Sequence, residues 1–197
     1  MIYLVRHGET EFNLAGRYQG ALDSPLTARG EAQARAIGAL LKDLTANEPF
    51  VLVASPLGRA WRTAQIIAGI AGLPDPAPVE SLREVTLGSW DGMTGEDIDF
   101  AWPGARDGAT RWDWYFASPD GERYSGFAGR LADWMAEACR PERRIVAVTH
   151  GVASRVLRGL YACLPKDEAL KLEVPQDAIF RLDGGQITRI DGLPTPA

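Results

Sequence analysis

Apolar positions along this chain follow two periods, and the way these alternate predicts an architecture. Residues Ile2-Tyr3-Leu4-Val5, Phe50-Val51-Leu52-Val53-Ala54 and Ile145-Val146-Ala147-Val148-Thr149 are short, unbroken and rich in β-branched side chains, the pattern of strands covered on both faces. Between them the spacing turns helical. Ile37, Leu40, Leu41 and Leu44 share one face of a helix expected at about 27–45, with Thr27 as N-cap and Asn47-Glu48-Pro49 as the stop. Ser55-Pro56 predicts a second helix, with serine as cap and proline in the first turn, ending near Gly72. Leu131, Trp134, Met135 and Ala138 stripe a third at about 126–139. A helix from Gly151 to about Leu164 and a short one near 166–172 follow. Residues 178–182 and 186–190, around Asp183-Gly184-Gly185, predict a hairpin at the sheet edge. A weak strand is expected at Val79-Glu80 and a loop over 12–25. Strands alternating with helices make this an α/β domain.

One stretch breaks the alternation. Residues 88–126 hold Trp90, Trp102, Trp112, Trp114, Tyr115 and Phe116 without a steady period. Short helices and loops are expected here, an excursion pinned over the sheet by its own apolar cluster rather than an aromatic cage for a ligand. With no repeat or linker, residues 1–197 read as a single domain carrying a lid-like insertion at about 92–126. The tail from Leu193 is expected to fray.

Composition narrows the class. The chain is 46% hydrophobic and 24% charged, with a formal net charge of -5, which disfavours a general nucleic-acid or membrane-surface binder. No apolar run reaches membrane-span length and the start lacks a signal-peptide pattern, so the expectation is a cytoplasmic protein. Cys139 and Cys163, the only cysteines, supply no disulfide framework.

The candidate chemistry lies at strand ends. Both histidines of the chain directly follow a buried strand, in Val5-Arg6-His7-Gly8 and Val148-Thr149-His150-Gly151. If those strands are neighbours, the imidazoles meet at the carboxyl edge of the sheet, where open α/β sheets hold ligands. Gly8 permits a close approach of backbone to ligand, and Thr10 opens a short helix whose free N–H groups favour an anion. The strand at 50–54 delivers Arg59 and Arg62 to the same edge. Imidazoles and guanidiniums converging there make a dianion site, most simply for a phosphoryl group. Other chemistries lack their residues. The histidines have no carboxylate cluster at metal-ligand spacing, no Cys stands six residues before an Arg, and no phosphate-binding, serine-hydrolase or dinucleotide glycine motif occurs. Asp97-Ile98-Asp99 follows no buried strand and reads as a solvated turn. Neither a metal nor a cofactor is expected.

Several blocks then resemble one family in order. Arg6-His7-Gly8-Glu9-Thr10 with Asn13 is similar to the signature of the histidine phosphatase superfamily, the phosphoglycerate mutase-like fold. Arg17-Tyr18-Gln19-Gly20, Asp23, Leu26-Thr27, Gly30 and Gln33-Ala34 continue the likeness, as do residues 55–64 from Ser55-Pro56 to Thr63-Ala64. Leu82-Arg83-Glu84 with Gly88-Ser89-Trp90-Asp91-Gly92, and finally Thr149-His150-Gly151, complete it. Val152 departs, standing where the family often has a second glycine. The resemblance implies a three-layer α/β/α sandwich with a mostly parallel sheet. It implies His7 as nucleophile, Glu84 as general acid, and Arg6, Arg59 and His150 around the phosphoryl oxygens. Asn13, Thr10, Gln19 and Gly151 join the substrate-binding set. The activity implied is that of a metal-independent phosphomonoesterase passing through phosphohistidine. The alternatives are a phosphoglycerate mutase-type transfer and a non-catalytic binder of phospho-ligands. The expected partner is a small phosphorylated metabolite, with no nucleic acid or membrane, and the chain is expected to be a monomer or homodimer.

Overall fold

The unbroken apolar runs become the middle of one six-stranded sheet. In chain order the strands are β1 (Ile2–Arg6), β2 (Val51–Ala54), the two-residue β3 (Ala77–Pro78), β4 (Ile145–Thr149), β5 (Ala178–Asp183) and β6 (Gln186–Asp191). Their order across the sheet is β3-β2-β4-β1-β5-β6. The first four run parallel, and the β5–β6 hairpin closes one edge antiparallel. This is a computed structural model, and it describes residues 1–192; the tail from Leu193 lies outside them.

Among the described residues the helices are α1 (Glu11–Leu14), α2 (Ala28–Leu44), α3 (Gly58–Ala71), α4 (Gly95–Ala101), α5 (Tyr124–Ala138), α6 (Gly151–Tyr161) and α7 (Lys166–Ala169). Alternate strand residues face opposite layers. Tyr3, Val5, Leu52, Val146 and Val148 pack with Ile37, Leu41 and Ile67 of α2 and α3. On the other face Ile2, Leu4, Ile145 and Ala147 meet Phe127 and Leu131 of α5 and Val156 and Leu157 of α6. The result is the expected sandwich, with a sheet hydrophobic on both sides because both are covered.

The aromatic insertion joins the second layer. Trp90 is fully buried, with Trp102 and Trp114 each 6.3 Å away between ring centroids. Trp90 is core, and Trp102 and Trp114 are partly buried rings packed against it, the apolar cluster expected to pin this excursion.

Some local expectations are displaced. The segment 12–25 is not all loop, because the short helix expected to open at Thr10 forms as α1 and runs to Leu14: the Thr10 hydroxyl accepts from the Asn13 N–H while the Asn13 side chain accepts from the Thr10 N–H. The helix after β2 starts at Gly58 rather than at Ser55-Pro56. Its first N–H groups, those of Gly58 and Arg59, are taken by the Asp23 carboxylate, leaving Ser55 for another partner. Strand pairing beside β2 falls at Ala77 and Pro78, not at Val79-Glu80, and Glu80–Leu82 is a 3₁₀ turn. Val152 is accommodated because α6 begins at Gly151 and places it in the first helical turn.

The loop after β1 is pressed onto the start of α2. A Cβ on Gly30 would lie 2.0 Å from the Glu9 carbonyl oxygen, and one on Gly8 2.3 Å from the Gly30 carbonyl oxygen. Both obstacles are backbone, which cannot swing aside. Gly30→Ala should therefore destabilise by about 1–3 kcal/mol or more by overpacking, although alanine in a free helix stabilises by roughly 0.5–1 kcal/mol relative to glycine. Urea unfolding decides the sign, and a rise in midpoint would disprove the close approach.

Candidate active site

β1 and β4 are paired with Arg6 opposite Thr149, so the residues just beyond them, His7 and His150, emerge side by side. Their ring centroids are 5.2 Å apart. The juxtaposition expected from the two strand endings is thus realised at the carboxyl edge of the sheet.

A cleft of about 140 Å³ opens there, lined by Arg6, His7, Asn13, Gln19, Arg59, Glu84 and Gly151 among the expected residues. The His7 ring is buried, and its Nδ1 lies 2.8 Å from the Gly8 carbonyl oxygen. A carbonyl can only accept, so Nδ1 carries the proton and Nε2 keeps its lone pair. Burial first, then the positive charges of Arg59 and Arg6, hold this imidazole well below its ordinary value of 6.5. Thr63 steadies the turn by accepting from the Gly8 N–H at 3.1 Å.

The cations are clamped by backbone. Arg59 is 2% exposed and donates to the carbonyls of Gly20 and Leu22 and to the Asp23 carboxylate, at 2.7–2.9 Å. Arg6 donates to the Val174 carbonyl at 2.6 Å. Burial lowers the Arg6 guanidinium to about 10, against the opposing pull of Glu84, which leaves it charged at neutral pH. Arg6 Nε, Arg59 Nε and His150 Nδ1 are buried with no hydrogen-bond partner in the protein. Unpaired buried donors are costly unless a ligand satisfies them, and donors grouped in this way suit an anion.

His150 is set deeper than the residues that line the cleft, beside the His7 ring. It is fully buried, is not among the lining residues, and meets the Ser55 hydroxyl through Nε2 at 2.7 Å. The same hydroxyl accepts from the Leu57 N–H at 3.3 Å, while Asp23 takes the first N–H groups of α3. Burial, with Arg59, His7 and Arg6, keeps His150 well below its ordinary value too. Thr10 is likewise not a lining residue. Fully buried as the α1 cap, its hydroxyl accepts from the Gln19 side chain at 2.8 Å, so it positions Gln19 instead of meeting substrate. Asn13 spends its side-chain oxygen on Thr10 and on Gln176, which leaves its amide N–H groups for the cleft. Arg62, expected at this edge, points away and pairs with the exposed Glu31.

Glu84 reaches the site from the loop after the 3₁₀ turn. Its carboxylate accepts from the N–H groups of Val152 and Ala153, each at 3.0 Å, and thereby seats on the N-terminus of α6. A side chain on Gly151 would stand 3.6 Å from the Arg6 guanidinium and 3.8 Å from the Glu84 carboxylate, so the two groups flank the same point. Gly20 is required for a different reason. Its φ of +51° is left-handed, and a Cβ would collide with the Asp91 carboxylate that ties the 86–92 loop to Ala21.

The remaining walls were not foreseen from sequence. Arg17, Tyr18, Val85, Leu87, Trp114, Tyr115 and Val152 complete the cleft. The insertion contributes its aromatic residues there and not its cations, since Arg106 pairs with Asp99 and Arg123 with backbone carbonyls of 116–119. Tyr18 and Trp114 pack together at 4.4 Å between centroids. Nothing local marks these positions; only the fold brings them to one wall. Among the described residues no group of three or more His, Cys, Asp or Glu is placed to hold a metal ion, and no helix is long and apolar enough to cross a membrane.

The chain is similar to known proteins along most of its length. The chain is 36% identical over 196 residues to a probable phosphoglycerate mutase GpmB of Erwinia tasmaniensis, covering 94% of this chain and 85% of the relative. It is 35% identical over 204 residues to a glucosyl-3-phosphoglycerate phosphatase of Mycolicibacterium vanbaalenii, covering 98% and 87%. The solved structure of YhfR from Bacillus stearothermophilus superposes with a TM-score of 0.80 at 32% identity, over 96% of this chain and 95% of that one. Such relatives bear both mutase and phosphatase names. Residues 2–187 match the family model of the histidine phosphatase superfamily, branch 1, and the chain belongs to that superfamily.

Proposed function

We propose that this protein is a metal-independent phosphomonoesterase that works through a phosphohistidine on His7. The observation that carries the reading is the His7 ring itself, buried and neutral, with Nδ1–H tied to Gly8 and the Nε2 lone pair left among buried cations. Nε2 attacks phosphorus, the N–P bond forms, and the P–O bond to the leaving alcohol breaks. Glu84, as the carboxylic acid, gives its proton to the departing oxygen. The resulting carboxylate then takes a proton from water as that water attacks phosphorus and the N–P bond breaks, which restores both residues. Arg6 and Arg59 stabilise the equatorial oxygens, with Asn13, Gln19 and the Gly151 backbone beside them. His150 adds its Nδ1–H in this reading: the Ser55 hydroxyl, which accepts from the Leu57 N–H, donates to Nε2 and leaves the ring proton on Nδ1. Fixed donors of this kind do the electrostatic work of a cation.

Hydrolysis is favoured over mutase transfer by the character of the distal wall. Tyr18, Trp114, Tyr115, Val85 and Leu87 face the leaving group there, with Arg17 the one basic residue beyond the phosphoryl cradle. A substrate with a second acidic group retransferred in place calls for more positive charge than that. The substrate is accordingly a small phosphorylated metabolite whose alcohol part is at least partly apolar.

The direct test is phosphate release from p-nitrophenyl phosphate in EDTA, followed by a metabolite panel. Turnover is expected in the wild type with an acid-labile phosphoryl label, and His7→Ala should lose both. Labelling that persists in the variant would remove His7 from the mechanism. With 3-phosphoglycerate and its bisphosphate, phosphate release should outrun isomerisation; the reverse order would make the protein a mutase.

Protonation supplies a further test. Folded His7 and His150 resist protons that the unfolded chain accepts near pH 6.5, so the unfolded state binds more protons below that value and stability falls as pH is lowered. The steepest contribution is about 1.4 kcal/mol per pH unit for each histidine. Urea titrations between pH 7 and 5 should show a shallower slope in His7→Asn than in the wild type. An unchanged slope would mean that folded His7 takes up its proton normally.

A further inference from the structure

Glu84 sits on a loop, and no strand register fixes it. Residues 83–87 lie between two 3₁₀ turns, Glu80–Leu82 and Gly88–Trp90. A proton donor must nonetheless be held to within a fraction of an ångström of its partner. The Val152 and Ala153 N–H groups seat the carboxylate, and the loop backbone that carries it needs a constraint of its own.

One side chain on α5 reaches across to it. Arg130 donates through Nη1 to the carbonyls of Ser81 at 2.6 Å and Arg83 at 2.8 Å, and through Nη2 to the carbonyl of Glu84 itself at 3.1 Å. Its Nε and Nη2 also grip the Glu122 carboxylate at 2.9 Å each. All five N–H groups of the guanidinium are thereby used. The carbonyl skipped by Arg130, that of Leu82, accepts from the Thr149 hydroxyl at 2.7 Å. Every carbonyl from 81 to 84 is therefore held by a side chain from another element. Phe127, one turn earlier on α5, supports the guanidinium from below at 4.7 Å, and the Glu122 N–H bonds the Thr86 carbonyl at 2.8 Å.

We propose that Arg130 is the positioning residue for Glu84: it fixes the loop backbone so that the carboxyl group meets the leaving-group oxygen. Arg130 is not among the residues that line the cleft and is not a catalytic residue. The inference rests on Glu84 acting as the general acid. A lysine could not substitute, since its ammonium is compact and lacks the planar fork that spans three carbonyls and a carboxylate. The competing role is purely structural, an ion pair with Glu122 that tethers the end of the insertion. That pair is bidentate and three-quarters buried, so it contributes to stability as well, and the test has to read catalysis rather than folding.

The two roles separate by leaving group. p-Nitrophenolate departs without a proton, whereas an alkoxide needs one, so kcat/KM for p-nitrophenyl phosphate and for propyl phosphate should respond differently to a misplaced acid. Glu84→Gln is the reference, expected to lose about 10²–10⁴-fold on propyl phosphate and far less on p-nitrophenyl phosphate. Arg130→Met should reproduce the split in smaller size, roughly 10–100-fold against a few-fold, with competitive inhibition by inorganic phosphate unchanged. Arg130→Lys keeps the charge and the packing over Phe127 and should show the same split; it carries the test if the methionine variant does not fold. Equal losses on both esters, or none on either, while Glu84→Gln splits, would overturn the positioning role and leave the acid in place. No split in Glu84→Gln would remove the general acid, and the inference with it.

Discussion

Two guanidiniums kept out of water at the end of a parallel sheet are the condition on which the rest of this structure depends. Arg6 and Arg59 hold their charge in a site where desolvation works against it, and burying charge is costly unless the surroundings replace water. The replacement here comes largely from backbone. Carbonyls of Gly20, Leu22 and Val174 and the carboxylate of Asp23 take some of the N–H groups, while the Nε atoms remain unpaired. Burial, with these fixed charges adding to it, keeps both neighbouring imidazoles neutral. In the proposed reaction the two conditions act together: the imidazole stays unprotonated, and the phosphoryl group meets the donors left unpaired.

Meeting that condition accounts for features that look like ordinary packing. Asp23 caps α3 and pairs with Arg59 in one stroke, so the helix start and the cation are fixed together. Gly8 and Gly30 let the loop after β1 press onto α2, which sets the turn carrying the Gly8 carbonyl and hence the tautomer of His7. Glu84 rests on the first turn of α6, directly after His150. Each catalytic candidate is held through an element that also holds another, and small displacements in one are felt by the rest.

The aromatic insertion plays a separate part. Its tryptophans finish the core on one face of the sheet, and only its edge, through Trp114 and Tyr115, reaches the cleft. The phosphoryl cradle is drawn from β1, α3 and the loops around them, whereas the far wall is drawn from the insertion. Recognition of the leaving group can change there without disturbing the charged floor.

The sequence by itself determined the layers and the chemistry of the floor. Short apolar runs rich in β-branched residues fit strands covered on both sides, and His7 and His150 each follow such a run, so their convergence required only that β1 and β4 be neighbours. Tertiary structure decided what hydrogen-bond competition decides. Ser55 looks like a helix cap until Asp23 takes the first N–H groups of α3; Thr10 looks like a ligand contact until it is buried as a cap; Arg62 has the right spacing and the wrong face. Arg130 carries no local signal, since its partners are carbonyls 46 to 49 residues away, and a carbonyl looks the same at every position in a sequence. Periodicity and strand endings are properties of neighbours along the chain. The choice among several partners for one donor is a property of distance in space, and only the folded chain sets it.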